Sequence, residues 1–451
     1  MVRPGRNLGS GYAAIQRVGA LLFCVAVALV PKHSAAQPGE PLLTLQQSIG
    51  IALDRNLELK VAQEEVDVAW EQQREARTNF LPKFSLEYGY TRPSETTIMF
   101  SGVTFVNKDQ HQWALNGHID QPLFTGFANL SIYQLAKLDL DVAKIQLART
   151  RLDIILQVKE AYYEILSAQK LLEVARQSVR QLQEGVRVAE NFYRVGMRPK
   201  VNVLDAEVRL ARAVQETIVA ENDLGVAKAI LNTILHRPIT SPFSVEDILS
   251  TEPYEKTFES SREIALKSRP EVLEAEKRVM GAQKEITLAK SDYYPTIKWS
   301  LNYYRRGDDP TVDGSQFTDR EFWEAGAMAT WTFFEWGKTR YATNQKRGRL
   351  RQAEETLVQV KDAVNLEVKT AFLTVQAAEK AVNVAKKAIE SAEENFRISG
   401  ERYKEQVATA TEVLDAQTRL TQARTDYTTA LVAFNLARAR LIRAMGLERE
   451  P

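Results

Sequence analysis

Cysteine is all but missing: the one thiol in 451 residues is Cys24. It lies in an apolar run, Val18 to Val30, which follows Arg3, Arg6 and Arg17 and precedes Pro31 and Ser34-Ala35-Ala36. A basic start, a short greasy stretch and small residues at its end predict a secretory signal peptide over residues 1–36, cut after Ala36. Thirteen apolar residues fall short of the roughly 20 that cross a bilayer as a helix. Phe23, not a small residue, precedes Cys24, which argues against lipid attachment there. The mature chain is therefore expected to hold no disulfide.

Histidine is nearly as scarce. After the leader only His111, His118 and His236 remain; His111 and His118 flank a strand end and read as ordinary loop and surface residues. No metal-ligand or nucleophile motif accompanies them, so neither an enzyme, a cofactor nor a metal site is expected. Excess charge of one sign is also absent. Losing Arg3, Arg6, Arg17 and Lys32 with the leader leaves 55 basic against 58 acidic residues. Nucleic-acid binding calls for clustered basic excess, so that partner is excluded. No second apolar stretch reaches spanning length, and any membrane crossing must use strands.

Glycine and proline are few and unevenly placed. Neither occurs between Gly126 and Gly185, between Gly348 and Gly400, or between Gly400 and Gly446. Only long helices commonly use such stretches.

What is present is a duplication. Val158-Lys159 with Ala161 returns as Val368-Lys369 with Ala371, and Leu204-Asp205-Ala206 returns as Leu414-Asp415-Ala416. Trp113, Phe124 and Tyr193 answer to Trp323, Phe334 and Tyr403, always 210 positions on. Nearer the start the shift is 213: Ala52-Leu53 recurs as Ala265-Leu266, and Leu81-Pro82 as Tyr294-Pro295. A length-tolerant loop must absorb the difference. The predicted division is a first module over 37–236, a connector over 237–260, a second module over 261–447 and a tail over 448–451. A repeat this long is one module in tandem, not a solenoid unit.

Each module opens with a helical pattern, Leu45 to Asn79 and about Arg262 to Ser291, which Pro82 and Pro295 end. The period then drops to two. Phe84, Leu86, Tyr88 and Tyr90 alternate with polar or small residues, and so do Trp113, Leu115, Gly117 and Ile119 after a polar stretch around Asn107. Pro122 is expected to close that strand. The second module repeats this with Ile297, Trp299, Leu301 and Tyr303, then Trp323, Ala325, Ala327, Ala329, Trp331 and Phe333. The strand pairs fall at about 83–124 and 296–334. All four strands suit a tilted bilayer crossing, with aromatic residues toward their ends.

Apolar or small residues then return every three or four positions from Phe127 to about Tyr193, which suits coiled-coil packing. A straight helix there would be about 100 Å long. It breaks at Gly196-Met197-Arg198-Pro199 and returns to about His236. The returning and entering helices together match the long one and can stack beside it. The fold class is mainly α with a membrane β-barrel contribution, built from long coiled-coil hairpins and four transmembrane strands. Four tilted strands cannot close a barrel, and open edges in lipid cost several kcal/mol per backbone group. Several chains must therefore pool their strands. A soluble coiled-coil scaffold or adaptor without a pore is the competing reading, and duplicated strand pairs with aromatic ends argue against it.

This order resembles the TolC-like outer-membrane efflux and secretion proteins over nearly the whole mature chain. The matching stretches include Leu43-Thr44-Leu45-Gln46-Gln47-Ser48, Pro122-Leu123-Phe124-Thr125-Gly126, Tyr193-Arg194-Val195-Gly196 with Val203-Leu204-Asp205-Ala206, and Glu412-Val413-Leu414-Asp415-Ala416-Gln417. The resemblance implies a homotrimer with a 12-stranded barrel in outer-membrane lipid and a periplasmic α-helical tunnel. It implies an exit duct for tripartite efflux or type I secretion, partnered by a periplasmic adaptor and an inner-membrane transporter. It places adaptor contact at Val195, Gly196 and Met197, where a turn glycine is the plainer account. At the second tip, Gln406 and Val407 depart from the pattern, so docking there should be looser or differently shaped. It places a pore gate at Glu412 and Asp415, where carboxylates are also favoured by the helix dipole.

Overall fold

The computed structural model describes residues 41–449 apart from 93–94, 109–110 and 315–319. The expected signal peptide lies outside them.

Two entering segments start the two modules, and neither is one continuous helix. In the first, α1 (Leu45–Arg55) and α2 (Leu57–Thr78) meet at Asn56, whose extended backbone ends one and whose side chain caps the other. Its Oδ1 accepts from the backbone N–H of Glu58 at 2.8 Å, the usual service of an Asn at a helix start. In the second, α5 (Phe258–Ser268) begins earlier than the periodicity indicates, because Thr257 caps it. It breaks at Arg269, and α6 (Pro270–Ala289) follows. Proline pushes its predecessor toward extended backbone, so Pro270 dictates this break. The apolar stripe runs through both breaks, which is why period alone misses them.

The strands form one four-stranded antiparallel sheet: β2 (Lys83–Thr91), β5 (Gln112–Thr125), β7 (Thr296–Gly307) and β8 (Glu321–Thr330), in that spatial order. Register puts Tyr90 opposite Trp113 and Tyr303 opposite Trp323, so the duplication holds at the level of strand pairing. It also puts Ile119 opposite Leu301, which joins the modules edge to edge with all four apolar faces on one side. Phe84 and Leu86 on that side are more than 70% exposed.

Three strand details differ from expectation. The polar stretch near Asn107 belongs to a separate hairpin, β3 (Glu95–Phe100) with β4 (Val103–Lys108), turned at Ser101-Gly102, both left-handed. Pro122 does not close β5; the pairing shifts register between Pro122 and Phe124, and proline is tolerated at such bulges. β8 stops at Thr330, short of Trp331 and Phe333, and the Trp331 indole N–H donates instead to the Tyr293 carbonyl at 3.2 Å.

From the sheet run α3 (Ala128–Arg194) and α7 (Lys338–Lys404), 67 residues each. They return as α4 (Val201–Ile234) and α8 (Ala410–Ala444). The entering helix and α4 stack along α3, as expected. Val66 and Ala69 of α2 meet Leu140 and Ala143 of α3, while Leu231 of α4 joins Ile154, Val158 and Tyr162. The connector is structured where it crosses the body: β6 (Ser244–Val245) pairs with β1 (Leu42–Leu43). The buried Tyr162 hydroxyl lies 3.1 Å from the Leu43 carbonyl and 3.0 Å from that of Glu246.

Candidate functional site: the helical tips and the strand wall

Both tips are left-handed turns. Gly196 sits at φ +73° and Gln406, its equivalent, at +62°. In each the next N–H reaches back to close the helix: Met197 to the Phe192 carbonyl and Val407 to that of Arg402, both at 2.9 Å. This is the standard glycine-type helix ending. Gln406 in place of glycine therefore keeps the same left-handed backbone turn. Val195, Met197 and Val407 are each more than half exposed. A Cβ at Gly196 would meet nothing within 4 Å, so the turn presents bare backbone to solvent.

The two tips clasp each other. Arg198 donates to the Ala408 carbonyl at 3.2 Å and lies 5.8 Å above the Tyr403 ring. Phe192 meets Tyr403 edge to face at 5.4 Å. Burial pushes the Tyr403 phenol up. Tyr403 stands out in the sequence only as the counterpart of Tyr193, and Phe192 and Arg198 carry no motif; proximity in space gives the three their role.

Glu412 and Asp415 are held differently. Glu412 completes a capping box on α8. Its N–H donates to the Thr409 hydroxyl and its carboxylate accepts from the Thr409 N–H, both at 3.2 Å. Those Thr409 contacts, with Arg402 nearby, hold its carboxyl below the usual range. Asp415 instead reaches across modules to Arg209 of α4, at 3.0 Å, and Arg209 also donates to Thr418. The partner was hidden in the sequence because it lies 206 residues away.

Midway along the body, Arg269 (4% exposed) pairs with Glu271 and Glu367, while Arg443 binds Asp153 and Glu271. Burial alone would raise Glu271, but Arg269 and Arg443 hold it at about 2.

On the polar side of the sheet, His118 Nδ1 lies 2.8 Å from Asn302 Oδ1, and Asn302 donates to Glu324 at 3.1 Å. His118 is thus part of a cross-strand row, not a loop residue. His111 keeps its surface position, stacked on Tyr90. Among the described residues no set of His, Cys, Asp and Glu is placed to hold a metal. No described helix is long and apolar enough to cross a membrane.

A sheet with an exposed apolar face, mounted on helical hairpins of about 100 Å, is the architecture of an outer-membrane channel subunit. A family profile for outer membrane efflux proteins matches residues 48–235 and 262–447, and the chain belongs to that family. It is 25% identical over 268 residues to the outer membrane protein TolC of Vibrio cholerae, a match covering 56% of this chain and 57% of that one. It is 22% identical over 350 residues to the alkaline protease secretion protein AprF of Pseudomonas aeruginosa, covering 73% and 70%. The solved structure of CusC superposes with a TM-score of 0.79 at 17% identity, covering 89% of this chain and 92% of that one.

Proposed function

We propose that this protein is the exit duct of a tripartite efflux or type I secretion system. Three copies pool their strands into a 12-stranded barrel in the outer membrane, and their helices extend it as a periplasmic tunnel. The observation that carries this reading is the four-stranded sheet with an exposed apolar face. Its outer strands β2 and β8 each pair on one side only. Unpaired strand edges are not tolerated in lipid, so sister chains must satisfy them.

Transport through such a duct is passive, and the energy comes from an inner-membrane transporter. A periplasmic adaptor links the two, docking at the tips around Val195, Gly196, Met197, Gln406 and Val407. The bare backbone at Gly196 supports this, since a partner helix can approach it closely, and Met197 offers adaptable apolar contact. Glu412, repeated three times, sets negative charge at the tunnel mouth and favours cations there, beside Asp415, whose charge is shared with Arg209. The duct works in the outer membrane after export through a cleaved signal peptide.

Liposome permeabilisation by the purified, heat-modifiable trimer is the direct test. A mature chain that stays monodisperse without detergent and leaves vesicles sealed overturns the reading. In planar bilayers, Glu412→Gln with Asp415→Asn should lose cation preference; an unchanged reversal potential removes the gate. Gly196→Trp should weaken adaptor pull-down while the trimer still assembles, and undiminished pull-down removes the docking assignment.

A further inference from the structure

The two modules are alike in backbone but not in what covers them. Left-handed residues recur 210 positions apart at Gly126 and Trp336, Phe127 and Gly337, Gly196 and Gln406, and His236 and Gly446. Equivalent positions can therefore be compared one to one. On α8, Leu414 is 8% exposed because it packs on Leu182 and Ala213 of the first module. Its equivalent on α4, Leu204, is 47% exposed. Thr428 is buried on α8, and its equivalent Ile218 on α4 is 62% exposed. The second module's return helix is covered by the first module, whereas the first module's return helix has no such cover. A leucine and an isoleucine thus stand exposed on α4 where α8 buries a leucine and a threonine, which is costly unless something else covers them.

Charges at the covered interface have equivalents too, and these are complementary. Lys277 of α6 pairs with Asp141 of α3 at 2.7 Å. The equivalent positions are Glu64 on α2 and Arg351 on α7, with the signs exchanged. Arg209 of α4 pairs with Asp415 of α8. Here the equivalents are Arg419 on α8 and Asp205 on α4, with both residue types kept. Glu64, Arg351, Asp205 and Arg419 are all exposed. Neither potential pair forms within the chain: α2 and α7, unlike α6 and α3, are not packed together.

We infer that a second copy of this chain covers the face of α2 and α4 with its second module, repeating the contact between the modules. Glu64 of one protomer then pairs with Arg351 of the next, and Asp205 of one with Arg419 of the next. Arg351 lies more than 50 residues along α7 from the tip and Arg419 about nine into α8, so the two pairs pin the interface at points some 65 Å apart. At the tunnel mouth, pairs within a protomer alternate with pairs between protomers. The same rule sets Ala329 on β8 opposite Tyr88 on β2 of the neighbour, as Ile119 faces Leu301 within the chain. The inference rests on the proposed oligomeric duct, but goes further by naming which side chains meet.

The mature sequence holds no cysteine after Cys24, which makes a thiol crosslinking test clean. Asp205→Cys with Arg419→Cys, and separately Glu64→Cys with Arg351→Cys, are treated with a short bismaleimide in membranes and run on denaturing gels. Each double variant should give covalently linked multimers up to the full oligomer, and each single-cysteine variant should stay at monomer mass. Arg209→Cys with Asp415→Cys should crosslink within the chain, leaving the mass at that of a monomer. As a second readout, Asp205→Arg and Arg419→Asp should each lose heat-stable oligomer, and the double reversal should restore it. A native oligomer that forms in every variant with no interchain product overturns the pairing and leaves the duct intact. If the unaltered protein gives no oligomer, the duct reading fails as well.

Discussion

Glu412 closes a helix end, and in the proposed function the same carboxylate stands at a channel mouth. Its ionised form is favoured first by the Thr409 backbone N–H, then by the Thr409 hydroxyl and the Arg402 charge. A carboxyl held low in the folded state contributes stability above its unfolded pKa and loses it as pH falls through the folded value. The cap and the negative charge should therefore persist somewhat below the ordinary Glu range. Thr409→Ala should move the acid limb of cation preference, read in planar bilayers, back to higher pH. It should also cost the α8 start about 1 kcal/mol in unfolding experiments. The sequence exposed this residue through the family resemblance after the second tip, and as a carboxylate in a helix's first turn. It could not expose Arg209 as the partner of Asp415, or the clasp of Arg198 on Tyr403, because nothing local links residues two hundred positions apart.

Helices and strands were legible wherever their period was unbroken, as along Phe84 to Tyr90 and through α3. They were illegible where one residue changes the backbone without disturbing the period, as at Asn56 and Arg269. The second of these breaks has an energetic role. With an extended backbone, Arg269 turns inward to donate to the Ala444 carbonyl at 2.9 Å and to bind Glu271 and Glu367. Burial opposes the charge on Glu271, but Arg269 and Arg443 hold its pKa at about 2. That stability is complete above the unfolded Glu value and disappears as pH falls through about 2. Glu271→Gln should lower unfolding stability at neutral pH by about 3 kcal/mol, the scale expected when a buried cation loses a partner. The variant should also show a shallower fall in thermal stability between pH 5 and pH 2, measurable by calorimetry.

For the molecule as a whole, duplication was the most readable property, since it survives in residues, in strand register and in left-handed positions alike. The loop hairpin β3–β4 was not readable, because its residues alternate weakly and it falls where the two modules differ in length. Among the described residues it pairs only with itself, so it adds nothing to the four-stranded sheet. Replacing residues 93–110 by a short glycine-serine turn should therefore leave the heat-modifiable oligomer and its conductance intact. Lost oligomer on unheated gels would show that the hairpin takes part in assembly. By contrast, a proline at Gly89 in β2, an edge strand of the sheet, should abolish the oligomer while sparing the helical content seen by circular dichroism.

The matching turns at Gly196 and Gln406 bear on stoichiometry. Their backbones have one shape and their side chains differ, so a ring of such subunits offers landing places that are alike in outline and alternate in surface chemistry. A partner that grips main-chain outline would occupy every place and arrive at two copies per subunit. One that discriminates a bare glycine from a glutamine would settle on every other place, one copy per subunit. Counting bound copies of the proposed adaptor by native mass would reveal which of the two stoichiometries holds.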